Sequence, residues 1–193
     1  MNYSIKVCKC NAKEGNRKGN VTLTFGNVFK IDNISVLENS KTGKLFVSMP
    51  KYKSEKSGKT EYNEICNPIT KEFREELYGN ILLFFEKFCI QGDTEVKCSF
   101  NTYKTPKYSL RIVPYEKEES SIRAFVHICF ENQFVINNIS IHQSKDKLFV
   151  SMPSYKSNHN GKDIYRDICF PVTKVFRESL YKEILKAYKE VTQ

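Results

Sequence analysis

The chain has 193 residues, of which 40% are hydrophobic, 13% aromatic and 27% charged, and its formal net charge at pH 7 is +9. This composition is typical of a folded protein and excludes a disordered one. The N-terminus lacks a basic segment followed by an apolar run, and no stretch of about eighteen apolar residues occurs, so we expect neither secretion nor a membrane span. Seven cysteines at irregular spacing favour a reducing cytoplasm over a disulfide framework.

The sequence contains an internal repeat. Phe29–Ser35 (FKIDNIS) returns as Phe134–Ser140 (FVINNIS) at an offset of 105 residues, and KLFVSMP at Lys44–Pro50 recurs unchanged at Lys147–Pro153 at an offset of 103. Matches of this length, in the same order, do not arise by chance. We therefore predict that one small domain is present twice in tandem.

The repeat also sets the predicted domain boundaries. The first copy covers residues 1–90 and the second covers residues 108–193, and the stretch 91–107 between them has no counterpart. Because this stretch contains Gly92 and Pro106, we interpret it as a linker.

Each copy begins with short segments in which apolar and polar residues alternate, which is typical of half-buried strands. A turn at Gly26 predicts a hairpin, and Pro50 ends a later strand because proline removes a ladder donor. A polar loop that contains glycine follows, and then a last strand. The strands predicted in the first copy are Ser4–Val7, Val21–Phe25, Phe29–Asp32 with Ile34–Val36, Leu45–Val47 and Tyr62–Cys66.

Each copy ends with a predicted amphipathic helix. Thr70 and Thr173 are expected to cap the first turns of the two helices. The large apolar residues that follow recur at helical spacing, and burial of each is worth roughly 1.5–3 kcal/mol. These stripes are Phe73, Leu77, Ile81, Phe84 and Phe88 in the first copy and Phe176, Leu180, Ile184, Tyr188 and Val191 in the second. The predicted fold class is therefore α+β, with a small antiparallel sheet covered by one C-terminal helix, twice.

The order of these motifs resembles the stage V sporulation protein G family, SpoVG. The shared pattern is an FxIxNIS hairpin, LFVSMP, a basic loop with glycine, a YNEICNP or YRDICFP segment and a terminal helix, and Tyr165–Ile168 is its closest part. The copies depart from the family pattern at four pairs of positions. Ser48 and Ser151 stand in place of an alanine. Cys66 and Cys169 stand in place of an alanine, Asn67 and Phe170 in place of a histidine, and Tyr52 and Tyr155 in place of the first of two basic residues.

The resemblance implies single-domain proteins that pair their sheets into dimers, bind nucleic acid, and regulate gene expression and asymmetric septation in bacteria. It therefore implies that the two copies of this chain pair with each other as an intramolecular pseudo-dimer. A covalent tether raises the effective concentration of the second copy to roughly millimolar or above, so this pairing would not depend on protein concentration. Further self-association stays open.

Candidate nucleic-acid-binding residues cluster in two regions of each copy. The loop after the Met-Pro motif combines lysines, which neutralise phosphates, with a tyrosine, which can stack on an unpaired base. The start of the helix adds basic side chains next to free backbone amides, which also attract phosphate. The predicted phosphate-binding residues are Lys51, Lys53, Lys56, Lys59, Lys71, Arg74, Lys156, Lys162, Arg166, Lys174 and Arg177, and the predicted stacking residues are Tyr52 and Tyr155.

The charge balance favours a polyanionic partner. Residues 1–90 contain 15 Lys and Arg against 10 Asp and Glu, and residues 108–193 contain 13 against 10. Such a balance points to nucleic acid first and to a membrane surface second. No helix-turn-helix, zinc-finger spacing or aromatic RNP motif is present, so no direct reading of base sequence is predicted.

Less specific interpretations also remain at this point. The basic loops are also compatible with an ordinary solvated surface. Arg74 and Arg177 are also compatible with ion pairs to glutamates such as Glu75 or Glu178 of the opposite copy. A second functional class is a protein-interaction module of the division or sporulation machinery that binds no nucleic acid.

Neither an enzyme nor a cofactor is expected. Cys8 and Cys10 could supply two metal ligands, but the second copy has no cysteines at the matching positions. No catalytic motif with a known mechanism occurs. Histidines His127, His142 and His159 correspond to Thr22, Leu37 and Lys56 in the first copy, so the copies share no acid-base site built on histidine.

Overall fold

The computed structural model describes residues 1–10, 15–56, 58–92, 95–100, 104–117, 119–145, 147–159 and 161–193, without the side chains of residues 56 and 159. The first copy contains β1 (Tyr3–Lys9), β2 (Arg17–Phe25), β3 (Phe29–Glu38), β4 (Leu45–Ser48), β5 (Lys51–Lys56), β6 (Lys59–Glu64), β7 (Cys66–Pro68) and α1 (Lys71–Phe84), and α1 continues as a π-helical turn at Phe85–Cys89. After β8 (Glu95–Phe100), the second copy contains β9 (Tyr108–Pro114), β10 (Ile122–Phe130), β11 (Phe134–Ser144), β12 (Lys147–Ser151), β13 (Ser154–His159), β14 (Lys162–Asp167), β15 (Cys169–Pro171) and α2 (Lys174–Thr192).

The strands form two large antiparallel sheets that exchange one short strand with each other. The first sheet has the order β15-β3-β2-β1-β8, with β4 also paired to β3. The second has the order β12-β11-β10-β9, with β7 also paired to β11. Thus β7 of the first copy lies in the sheet of the second copy, and β15 of the second copy lies in the sheet of the first.

The exchange is reciprocal and continues beyond the strands themselves. Cys66 pairs with Ile136 in one sheet and Cys169 pairs with Ile31 in the other. On each side a further backbone amide of the receiving strand donates to the carbonyl that precedes the exchanged strand. These bonds run from Asn137 N to Ile65 O and from Asp32 N to Ile168 O, each 2.7 Å long. The predicted intramolecular pseudo-dimer is confirmed.

A single hydrophobic core joins the copies. Phe25 of the first copy lies 5.5 Å from Phe130 and 5.1 Å from Phe134 of the second, and Phe29 lies 5.0 Å from Phe130, all between ring centroids. These four rings are fully buried. Because aromatic pairs at such distances add roughly 0.5–1.5 kcal/mol beyond the area that they bury, the cluster holds the two sheets together.

Two buried cysteines also meet at this junction. Burial raises the pKa of the Cys169 thiol, and the hydrogen bond that this thiol donates to Cys66 raises it further. Cys169 therefore stays a neutral thiol, and both cysteines fill space between the copies as small apolar side chains.

Both helix caps are confirmed. The hydroxyl of Thr70 accepts a bond from Phe73 N at 3.4 Å, and that of Thr173 accepts one from Phe176 N at 3.3 Å. The first residues of each predicted stripe are also confirmed. Those buried against the sheets are Phe73, Leu77, Ile81, Phe176, Leu180 and Ile184.

The ends of the predicted stripes differ from the structure. In the first copy Phe85 and Cys89 are buried, whereas the predicted Phe84 and Phe88 are half-buried, and Phe84 still packs against the core. In an α-helix, two residues four positions apart point in directions that differ by about 40° around the helix axis. The wider π-helical turn offsets this rotation, so Phe85 and Cys89, at steps of four after Ile81, again face the sheet. In the second copy Val191, predicted to continue the stripe, is 54% exposed.

Three other predictions need correction. Residues 95–100, within the stretch interpreted as a linker, form β8, which pairs with β1 along its whole length. The polar loops after the Met-Pro motifs are instead two β-hairpins, β5–β6 and β13–β14. The predicted strand Tyr62–Cys66 is interrupted at Ile65, which separates β6 from the exchanged β7.

A tyrosine ties each helix to the first strand of its own copy. Tyr3 donates to Glu76 at 3.0 Å and accepts from Asn80 at 2.9 Å, and the equivalent Tyr108 donates to Glu183 at 2.7 Å. Burial raises the pKa of both hydroxyls, and it raises the pKa of Tyr78 on α1 to about 12. None of the helices in the described ranges is both long and apolar enough to span a membrane.

The shared core predicts a single unfolding transition. We expect Phe130→Ala to lower the free energy of unfolding by about 3–5 kcal/mol without splitting the transition, because the ring contacts both copies. Urea unfolding followed by far-UV circular dichroism and tyrosine fluorescence measures this. As a control, Phe46→Ala, at a ring that is 42% exposed, should cost less than about 1 kcal/mol. Two separate transitions would contradict a common core.

The buried tyrosines predict a loss of stability in alkali. In the unfolded chain a tyrosine has a pKa of about 10, so above that pH unfolding releases a proton that the folded protein retains. The free energy of unfolding should therefore fall as the pH rises from about 10 towards the raised value of about 12. Urea unfolding at about pH 8 and about pH 11 should show a smaller fall in Tyr78→Phe than in the parent. An equal fall in the free energy of unfolding of the parent and the variant would show that Tyr78 does not cause the loss of stability.

Candidate nucleic-acid interface

The two β-hairpins are built alike. Each forms a separate two-stranded sheet with mainly exposed side chains. Gly58 and Gly161 take positive φ angles of 75° and 78° at the turns, a conformation that glycine adopts without strain. Lys59 and Lys162 follow these glycines directly, so each hairpin carries a lysine at its tip.

Each hairpin also pairs a lysine with a tyrosine across its strands. Lys53 lies opposite Tyr62, and Lys156 lies opposite Tyr165, and opposite residues share one face of a sheet. Tyr62 is 68% exposed and Tyr165 is 70% exposed. An exposed tyrosine face beside a cation suits a base next to its phosphate.

These tyrosines were missed in the sequence, although the repeat contained a signal for them. The predicted stacking residues Tyr52 and Tyr155 are each only 37% exposed. Tyr62 and Tyr165 occupy equivalent positions at the offset of 103 residues, so the tyrosine is present in both copies. The sequence predicted this segment of the first copy only as a last strand, and that prediction carries no binding role for its tyrosine.

Most of the predicted hairpin lysines already have an acidic neighbour. Lys53 lies 3.3 Å from Glu55, Lys156 lies 2.7 Å from Asp163, and these pairs are solvent-exposed. Lys51 likewise lies 3.8 Å from Glu64. Exposed pairs of this kind are worth about 0–1 kcal/mol, so a phosphate can compete for the lysine.

Three predicted cations are available without such competition. The side chains of Lys59, Lys162 and Arg166 make no ion pair or hydrogen bond within the part of the chain that the structure describes. All three are exposed. The side chain of Lys56 lies outside the described residues.

The basic residues at the helix starts have partners of two kinds. Lys71 lies 3.9 Å from Glu75 and Lys174 lies 3.8 Å from Glu178, each one helical turn away. The two arginines bind backbone instead of the glutamates considered as their partners. Arg74 donates to Pro68 O and Arg177 donates to Pro171 O, each at 2.9 Å. They therefore fix each helix to the strand exchanged just before it.

A groove of about 750 Å³ lies between the first sheet and the elements of the second copy. Partial burial raises the pKa of the Asp167 carboxyl in this groove, and the positive charge of Arg177 opposes that rise. The Asp32 carboxylate forms an ion pair with Lys30 at 3.1 Å and accepts a hydrogen bond from Thr22 at 2.7 Å. The residues that line the groove are Arg17, Asn20, Val21, Thr22, Asp32, Asn33, Tyr155, Arg166, Asp167, Phe170 and Arg177.

Histidines and cysteines have structural partners. His127 lies 2.7 Å from Asn137, and Cys10 accepts a bond from Asn20 at 3.0 Å. Cys8 contacts Glu95 at 3.6 Å. Within the described residues, no three or more histidine, cysteine or acidic side chains are grouped as metal ligands would be.

The match to a known family follows the repeat. The family model described as SpoVG matches residues 1–87 and again residues 107–190. The chain belongs to the SpoVG family. Its two SpoVG regions together form the exchanged pair of sheets described above.

Bacterial SpoVG proteins are similar to a part of this chain about as long as one copy. A protein of Clostridium perfringens is 37% identical over 73 residues, which cover 38% of this chain and 78% of that protein. One of Acholeplasma laidlawii is 36% identical over 78 residues, covering 40% and 80%, and one of Agathobacter rectalis is 38% identical over 80 residues, covering 42% and 87%. All three are named as candidate septation proteins, SpoVG. No solved structure matches the chain.

The arginine contacts predict matched losses of stability in the two SpoVG copies. We expect Arg74→Ala and Arg177→Ala each to lower the free energy of unfolding by about 1–2 kcal/mol, because each removes a charged donor from a proline carbonyl. Arg166→Ala should change it by less than about 0.5 kcal/mol, since that side chain makes no such bond. Urea unfolding of the three variants checks this, and equal stability throughout would show that the arginines do not hold the helices.

Proposed function

We propose that this chain is a nucleic-acid-binding regulatory protein that influences gene expression and septation, and that it binds phosphates through its two hairpins. The observation that carries this proposal is the repeated hairpin surface. Each hairpin has at its tip a lysine, Lys59 or Lys162, that has no acidic partner among the residues that the structure describes, and each has an exposed tyrosine opposite a lysine.

The physical basis is counterion release with added stacking. A lysine that neutralises a phosphate releases a condensed cation, so binding gains free energy that depends steeply on salt. Tyr62 and Tyr165 each offer an aromatic face, and base stacking on such a face is worth about 1–3 kcal/mol. Neither contribution requires a particular base sequence, which agrees with the absence of a base-reading motif.

A binding measurement across a salt series tests this function. Fluorescence anisotropy with labelled single-stranded DNA, duplex DNA and RNA should show affinity that falls steeply as salt rises. In the variant Lys59→Ala with Lys162→Ala, the log-log salt slope should flatten by about 0.7 per lost contact on a single strand or about 0.9 on a duplex.

A matched control removes the same charge elsewhere. Lys182→Ala with Lys186→Ala changes two exposed lysines on α2, away from the hairpins, and should leave the slope within error of the parent. If both double variants reduce the slope equally, the hairpin tips are not the site. If the parent binds none of the three probes even at low salt, nucleic-acid binding itself is wrong.

One observation favours a protein-interaction module as the second candidate. In the first sheet β8 covers the outer edge of β1, whereas within the described residues β9 pairs only with β10. A free strand edge can accept a strand from another protein. An interface of that kind depends on backbone bonds and apolar contacts, so its affinity should change little over the same salt series.

A further inference from the structure

Two grooves lie at the junction of the copies, and their linings share three repeat-equivalent positions, which are Tyr155 with Tyr52, Asn20 with Phe125 and Asn33 with Asn138. The groove of about 750 Å³ described above is called the charged groove, and its counterpart, of about 420 Å³, is called the neutral groove. Tyr155 in the charged groove corresponds to Tyr52 in the neutral one, at the offset of 103 residues. The neutral groove is lined by Tyr52, Ile65, Phe125, Asn138, Ser140, Ser151, Met152, Pro153 and Ser154.

The two grooves differ in charge because the copies differ in sequence. Arg17 of the charged groove corresponds to Ile122 in the second copy, and Arg166 corresponds to Asn63 in the first. Three arginines line the charged groove, whereas the described residues that line the neutral groove include none with a formal charge. Arg74, the counterpart of Arg177, does not line the neutral groove.

Within the described residues, the arginines of the charged groove have N–H groups that donate to no acceptor. Arg17 gives one donor to Asn33 at 3.2 Å, and its Nε atom is buried and has no hydrogen-bond partner among the described residues. A buried donor left unpaired costs free energy that a ligand oxygen would recover. Within the described residues Arg166 is unpaired, and Arg177 uses one of its five N–H groups, in the bond to Pro171 O.

The acidic residues in the same groove do not cancel this excess. Asp32 already accepts from Thr22 and lies 3.1 Å from Lys30, which brings a fourth cation to the edge of the groove. Asp167 is then the remaining carboxylate against three arginines. A phosphate that enters therefore meets a net positive surface.

We infer that one single-stranded nucleic-acid segment binds in the charged groove, with its phosphates on Arg17 and Arg166 and an unpaired base against Tyr155, while the neutral groove binds none. This inference rests on the proposed function and restricts groove binding to one side of the molecule, since the pseudo-dimer has one binding groove in place of two. A concave groove with an aromatic wall accepts an unstacked strand, whereas a duplex keeps its bases stacked inside and out of reach of Tyr155.

Matched arginine variants test this inference. A labelled strand of about ten nucleotides is titrated by fluorescence anisotropy at low salt. Arg166→Ala should weaken binding about tenfold, because a charged hydrogen bond to phosphate is lost. Arg177→Ala should weaken it several-fold, and Arg74→Ala less than twofold. The last two variants lose the same bond to a proline carbonyl, so a difference between them reports the groove and not the fold.

The stoichiometry is an independent measurement. At a protein concentration well above the dissociation constant, the titration should reach its end point at one strand per chain. Two strands per chain, or equal losses in Arg74→Ala and Arg177→Ala, would overturn the one-sided groove while leaving nucleic-acid binding in place. No binding by the parent would overturn the proposed function and this inference together.

Discussion

The reciprocal exchange of β7 and β15 is the constraint on which the rest of the structure depends. Each exchanged strand has only three residues, yet a hairpin precedes it directly and a helix follows it directly. Pairing β15 with β3 therefore also places the β13–β14 hairpin and the start of α2 beside the sheet of the first copy. The grooves exist because of this connection, and the buried rings of Phe25, Phe29 and Phe130 keep the connection from opening.

Features that depend on neighbouring residues could be predicted from the sequence. The alternation in Val21–Phe25 and the turn at Gly26 describe a local hairpin, and it is present as the pairing of β2 with β3. The caps at Thr70 and Thr173 likewise depend on residues three positions away. The pairing of the copies came from the family resemblance, because no local pattern shows that a strand as short as β7 will join another sheet.

Features that depend on distant partners could not be predicted. The alternation of side chains in β8 was not enough to predict a strand of this sheet. Its partner β1 lies about ninety residues earlier, and the segment has no repeat equivalent to support a strand. Burial of Phe85 in place of Phe84 depends on a close approach to β2, where a side-chain carbon added at Gly19 would lie only 2.7 Å from the Phe85 ring. The candidate site follows the same rule. The sequence supplied the hairpin lysines, but which of them face a carboxylate is decided by cross-strand register, as for Lys156 and Asp163.

Fusion of the copies explains why the two grooves can differ. A homodimer with two-fold symmetry must present the same residues in both grooves, because one gene encodes both subunits. In a tandem chain each groove takes its sheet from one copy and its hairpin from the other, so the two can change independently. The hairpin tips at Lys59 and Lys162 have stayed alike, whereas the positions of Arg17 and Arg166 have not. Divergence between the grooves, on a shared core that requires both copies, is what a one-sided binding surface would need.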